Sequence, residues 1–174
     1  MADLIVRRLD ERDLERRLDS FTTLLMDAVE SGASVGFLAP LEEGIARGYW
    51  KGVQEALAGG RRILLAAFES DALVGSVQLE LADMPNGRHR AEVMKLFVHR
   101  GARRRGIGGI LMRAVEDHAR AAGRQLLVLD TRAGDSAERL YAGIGYTAAG
   151  VIPRYARDPA GALDGTVVMY RWLE

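Results

Sequence analysis

The chain has 174 residues, 48% of them hydrophobic, with 24 basic and 24 acidic side chains and no cysteine. That length and apolar fraction suit one compact domain with a sizeable core and exclude a disordered chain. Balanced charge argues against nucleic acid as a main partner, because binding a phosphate backbone leaves a clear basic excess, and the missing cysteines exclude disulfide frameworks, thiolate metal sites and a catalytic thiol.

The N-terminal segment "MADLIVRRLDERDLERRL" is charged almost at once, and no apolar run approaches the roughly 20 residues of a membrane span, so the chain reads as a soluble cytoplasmic protein without a targeting segment. Leu4 to Leu9 reads as a first strand. Leu14, Leu18, Phe21, Leu25 and Val29 recur at helical spacing and predict one helix from Asp10 to about Val29, capped by Asp10 or Asp13. "SGASVGFLAP", Ser31 to Pro40, breaks the pattern, and a weaker helix from Leu41 to Leu57 ends at Gly59-Gly60, with Trp50 as a core residue. "RILLAAFES" and "DALVGSVQLEL" predict a hairpin turning at Ser70-Asp71.

Arg90 to Val98 predicts a third strand, with Glu92, Met94, Leu96 and Val98 on one side. A helix from Ile107 to Ala121 follows, with Ile107, Ile110, Leu111, Ala114, Val115 and His118 near one face and Gly123 at its end. "LLVLD", Leu126 to Asp130, is typical of a buried strand. Asp135 or Ser136 caps a helix running to about Ala142, and strands near Thr147 to Val151 and Thr166 to Leu173 close the chain. The order β-α-α-β-β-β-α-β-α-β-β predicts an α+β fold with a mixed, mostly antiparallel sheet flanked by helices, in one domain spanning 1–174.

Between the third strand and its helix stands "HRGARRRGIGGILM", His99 to Met112. Glycines there let the backbone approach a ligand closely, and the helix start adds unpaired N–H donors and a positive dipole end, which together make an anion cradle. The lysine and Ser/Thr that complete a P-loop are missing. His89, His99 and His118 lack metal-ligand spacing, so no metal is expected.

"LFVHRGARRRGIGGILM" carries [RQ]-x-x-G-x-[GA] at Arg103, Gly106 and Gly108, and "LDTRAGDSAERLYAGIGY" carries A-x-x-L-Y-x-x-x-G-[FY] at Ala137, Leu140, Tyr141, Gly145 and Tyr146. In order and separation these resemble motifs A and B of the GNAT superfamily of N-acetyltransferases. "GASVGF" (Gly32 to Phe37), "PNGRHRAEVMKLFV" (Pro85 to Val98) and "LLVLDTRAGDSAERLY" (Leu126 to Tyr141) are similar to members of that superfamily that acetylate an amino-acid-like toxin.

The resemblance implies acetyl-CoA as acyl donor, with its pyrophosphate on the backbone of Arg105, Gly106, Ile107, Gly108 and Gly109 and with charge from Arg103 or Arg104. It also implies the pantetheine arm along Leu96, Phe97 and Val98. The family's usual asparagine contact falls on Gly134, so Asp135 or Ser136 would replace it. Transfer goes directly to an amine, with Tyr141 implied as acid for the departing thiolate and Glu92 or Asp130 as base, while Lys95 reads as a sheet-face charge. The "SGASVGFLAP" loop is implied to border the acceptor pocket. The acceptor expected is a compact primary amine, with an amino-acid-like antimetabolite among the candidates. The alternatives are a protein or peptide amine, or a noncatalytic acyl-CoA sensor; the state expected is monomer or homodimer.

Overall fold

The computed structural model describes residues 3–174. Among these residues seven strands form one sheet: β1 (Leu4–Leu9), β2 (Arg62–Glu69), β3 (Ala72–Leu81), β4 (Arg90–Val98), β5 (Leu126–Arg132), β6 (Thr147–Arg157) and β7 (Leu163–Trp172). Their spatial order is β1-β2-β3-β4-β5-β7-β6, and every neighbouring pair is antiparallel except β4 and β5. The helices are α1 (Glu11–Arg16), α2 (Leu18–Glu30), α3 (Glu43–Ala58), α4 (Ile107–Ala121) and α5 (Ser136–Gly143). The mixed α+β architecture is the one expected.

Two apolar layers sandwich the sheet. On one face, Leu14, Phe21, Leu25 and Trp50 from α1, α2 and α3 meet Leu64, Ala66 and Phe97. On the other, Ile107, Leu111, Val115 and Ala119 of α4 meet Ile63, Leu65, Val77, Ala91 and Val93. A fully buried side chain such as Leu111 contributes about 1.5–3 kcal/mol by leaving water.

The first predicted helix is two. Asp10 starts α1 through a reciprocal capping box with Asp13. At Arg17 (φ −115°, ψ 17°) the helix breaks, and the Arg17 guanidinium lies 4.8 Å over the Phe68 ring and 2.7 Å from Asp71. On α4 the buried stripe includes Met112, Glu116 and Ala119, with Ala114 partly buried against the same core, while Ile110 and His118 lie outside it; Glu116 turns inward and pairs with Arg171 of β7 at 2.9 Å. β6 and β7 are longer than expected. β6 is an edge strand with a register break between Ile152 and Ala156, where Pro153 costs no ladder bond.

Candidate active site

Pairing between β4 and β5 runs only from Arg90 to Glu92, opposite Leu126 to Val128. Beyond Glu92 the two strands part, which leaves one edge of β4 open. On its other edge β4 bulges: Gln78 faces Met94 and Ser76 faces Phe97, so Lys95 and Leu96 share the place opposite Val77. Lys95 has φ 54°. An extra residue reverses the faces of everything after it. Ala91 and Val93 lie in the core under α4; past the bulge Leu96 and Val98 pack on that same core, and Phe97 enters the other. This corrects the expected unbroken alternation of Glu92, Met94, Leu96 and Val98. The Phe97 carbonyl lies against Gly75, and His99 N–H donates to the Val74 carbonyl at 2.9 Å, so Leu96 and Val98 aim their backbone groups into the open edge. An extended ligand arm could add there as a strand.

The glycine turn follows at the end of β4. Gly106 is the N-cap residue of α4 at φ 81°, a left-handed conformation with open space around its Cα. It exposes the first N–H groups of α4, so an anionic ligand group fits. Gly108 serves a different purpose: a Cβ there would stand 3.1 Å from Leu140 of α5, so its smallness lets α4 and α5 approach. The three arginines diverge. Arg103 folds back, donating from Nε to the Val98 carbonyl at 3.0 Å and from Nη2 to Ser31 Oγ. Arg105 pairs with Glu69, and Arg104, at φ 60°, makes no ion pair among the described residues. Gly134 has φ 80°, Asp135 caps α5 by accepting from Ser136 N–H at 2.6 Å, and Ser136 is exposed beside it.

On the sheet face that carries α1 to α3, Arg62, Glu80, Glu92 and Val128 stand in one cross-strand row. Arg62 pairs with Glu80 and donates to Gln78 Oε1 at 3.1 Å, and Gln78 in turn donates to the Tyr49 hydroxyl at 2.9 Å. Glu92 accepts no hydrogen bond among the described residues, and partial burial, then the Asp130 and Glu80 carboxylates, push its carboxyl above the usual range. Asp130, at the open end of β5, accepts from Thr166 Oγ1 at 2.9 Å. Tyr141 is 7% exposed, and burial, then Asp130 and Asp135, hold its phenol above its ordinary value, so it stays a hydrogen-bond donor.

The 31–40 loop borders this cleft and is tied to it at three points. Arg103 donates to Ser31, Arg132 Nη2 to the Gly32 carbonyl at 3.0 Å, and Lys95 Nζ to the Val35 carbonyl at 2.7 Å. A pocket of about 190 Å³ opens between the loop (Gly32, Ser34, Phe37), Arg132 and the β6–β7 turn (Arg157, Asp158). Arg132 lies two residues beyond Asp130 and so on the same face of β5. The pocket is not lined by Glu92 or Asp130 themselves.

Sequence reading missed Thr166, Arg132 and the reach of Lys95. Only the lysine left a signal: it is one of two lysines beside 22 arginines. Among the described residues no group of three His, Asp or Glu could hold a metal, and no helix is long and apolar enough to cross a membrane.

The family model described as Acetyltransferase (GNAT) family matches residues 37–146. An uncharacterized N-acetyltransferase from the hisH-hisA intergenic region of Azospirillum brasilense is 36% identical over 137 residues, covering 76% of this chain and 77% of its own. The ribosomal-protein-alanine N-acetyltransferase of Brucella melitensis superposes with TM-score 0.81 at 20% identity, over 97% of this chain and 99% of that one. yncA of Salmonella typhimurium, solved with acetyl-CoA, superposes with TM-score 0.78 at 18% identity, over 99% and 95%.

Proposed function

The chain belongs to the GNAT acetyltransferase family, acyltransferases whose cosubstrate is acetyl-CoA, and from that premise we propose that it acetylates the primary amine of a compact small molecule. The observation that carries this reading is the 31–40 loop, which Arg103, Arg132 and Lys95 tie down across the cleft that holds Glu92 and Asp130, so that the cleft is narrowed towards a small acceptor.

Acetyl-CoA, when bound, supplies a thioester carbonyl open to attack by a neutral amine. The residues that would hold it are the backbone of Leu96 and Val98 on the open edge of β4, with Phe97 anchoring that edge in the core, and the N–H groups of Arg105 to Gly109 at the turn. Arg103, Arg104 and Ser136 flank these groups.

An acceptor arrives as an ammonium ion. Asp130, fixed by Thr166, holds that charge, and Glu92 takes the proton: a carboxyl raised above its usual range is the better match to a base working near neutrality. Tyr141 donates a hydrogen bond to the sulfur as negative charge develops on it. A phenol's reference pKa of about 10 exceeds a thiol's of about 8.5, so outright transfer of the Tyr141 proton is uphill by about 2 kcal/mol before burial adds to it. Tyr141 therefore stabilises the leaving group and need not lose its proton.

The segments that resemble toxin-acetylating members of the superfamily put β-lactam amino acids among the acceptors to try. Thiol release from acetyl-CoA, measured against free amino acids, β-lactam amino acids, simple amines and short peptides, tests the reading. Turnover of small free amines is expected; turnover of peptides alone would sink it.

A further inference from the structure

Residues 92 and 95 are an odd number apart, and on a regular strand their side chains would point to opposite faces of the sheet. The bulge at Lys95 cancels that alternation. Glu92 stands between Ala91 and Val93, which are buried under α4, and so faces the other way, toward the side that carries α1 to α3. Lys95 reaches that side too, because its Nζ donates to Val35 in the α2–α3 loop. A non-glycine residue at φ 54° is strained. What the strain accomplishes is to put a cation and an anion on one face, three residues apart, at the mouth of the cleft.

The two make no direct ion pair, and the Asp130 and Glu92 carboxylates attract the Lys95 ammonium only from beyond 4 Å. Lys95 is half-buried, spends one of its three N–H donors on Val35, and has no carboxylate within 4 Å among the described residues. Glu92 likewise has no hydrogen-bond donor among the described residues. A half-buried ammonium with free donors is costly unless an anion comes to it. Arginine occupies 22 of the 24 basic positions, and lysine stands here. The compact ammonium suits a single-point contact in a confined place, where a planar guanidinium would not fit the same way.

We propose that Lys95 is the specificity residue for an acceptor that is a zwitterion, a free amino acid whose carboxylate pairs with Lys95 while its ammonium lies against Glu92 and Asp130. This rests on the small-amine reading above and narrows it. Amine and carboxylate sit on one carbon in such an acceptor, a spacing that matches two opposite charges three residues apart on a bulged strand. An acceptor with an ammonium and no carboxylate brings a second cation beside Lys95 and gains nothing from it. The terminal amine of a peptide falls in that class, since its neighbouring carbonyl is neutral.

The test compares each amino acid with its own carboxamide, which has the same shape and amine but lacks the anion. Thiol release from acetyl-CoA gives kcat and KM for both members of each pair in the wild type, Lys95→Met and Lys95→Arg. The wild type is expected to favour the amino acid by about tenfold or more, the worth of one charge-assisted hydrogen bond. Lys95→Met should remove that preference by raising KM for the amino acid alone, and Lys95→Arg should keep part of it. Acetyl-CoA affinity by calorimetry, near the wild-type value in both variants, establishes that they are folded. As a readout apart from turnover, amino acids and not carboxamides should raise the melting temperature of the wild type saturated with CoA. Carboxamides turned over as well as amino acids, or a preference unchanged in Lys95→Met, would overturn the inference and leave the small-amine reading standing. Failure of every free amine, with peptides accepted or not, overturns both.

Discussion

Gly106 and Gly108 occupy equivalent-looking places in one short motif, yet they answer to different constraints. Gly106 needs its left-handed φ of 81°, so Gly106→Ala should cost about 1–2 kcal/mol in strain and misdirect the N–H groups that open α4. Calorimetry should show acetyl-CoA affinity falling more than kcat. Gly108 needs closeness to Leu140, so Gly108→Val should push α5 away and move Tyr141, the next residue after that contact. Steady-state kinetics should then show kcat falling more than acetyl-CoA affinity, and the reverse ranking of the two variants would refute this division of roles. Tyr141→Phe removes one hydroxyl and no packing; it should lower kcat about 10²-fold with acetyl-CoA affinity nearly constant. A kcat within a factor of about two of wild type would reduce Tyr141 to a packing residue.

At the scale of elements, β4 and α4 were legible to the residue, Arg90–Val98 and Ile107–Ala121, because turn residues bracket both and each has a clean period. The bulge inside β4 was not. One unpaired residue leaves no compositional mark, and its effect, the reversal of Leu96 to Val98, depends on pairing with β3. The break at Arg17 and the ties from Arg103, Arg132 and Lys95 to the 31–40 loop were hidden for a related reason: each joins residues more than 50 positions apart in the chain. Tyr141 was proposed from its motif position and Glu92 and Asp130 from resemblance and strand placement, whereas Thr166 and Arg132 belong to no motif and offered no such handle. Asp27 shows how much such hidden pairs can hold. It is buried near the end of α2 and accepts from the Arg100 N–H at 2.9 Å and from the Arg100 guanidinium, which fastens α2 to the start of the glycine turn. Burial pushes its carboxyl up, but the hydrogen bonds from Arg100, with the charges of His99 and Arg100, more than offset this and hold it below the usual aspartate value. A depressed carboxyl contributes stability above its unfolded value and loses it as pH falls through the folded one. Asp27→Asn should therefore cost about 2 kcal/mol at neutral pH, and the gap from wild type in denaturant melts should narrow as the pH falls below the ordinary aspartate value of about 3.9. A gap that does not narrow would mean that the charge on Asp27 contributes nothing.

For the molecule as a whole, the weak seam is between β4 and β5. Strands β1 to β4 form one antiparallel half and β5, β7 and β6 the other, and the halves share only three residue pairs of parallel ladder before they part. A ligand arm that adds to the open edge of β4 would complete that edge and brace both halves, since it lies between β4 with its glycine turn and β5 with α5. Saturation at 100 times Kd stabilises the folded state by about 2.7 kcal/mol, which for a chain of this size raises the melting temperature by roughly 5–10 °C. The local signature is sharper than the global one. Amide exchange at Leu96 and Val98, whose N–H groups face the seam, should slow when CoA binds, while Phe97 and His99, which bond towards β3, should change only as much as the protein overall. Val98 carries a further condition. Its carbonyl is held by Arg103 at 3.0 Å, so an arm that takes this carbonyl displaces Arg103 and with it the contact to Ser31, and exchange in the 31–40 loop should shift in the same experiment. Arg103→Ala should abolish the loop response and leave the protection at Leu96 and Val98 intact. If CoA protects Phe97 as strongly as its neighbours, or protects none of the three, the arm does not lie along β4 and the cofactor site must be sought on another edge of the sheet.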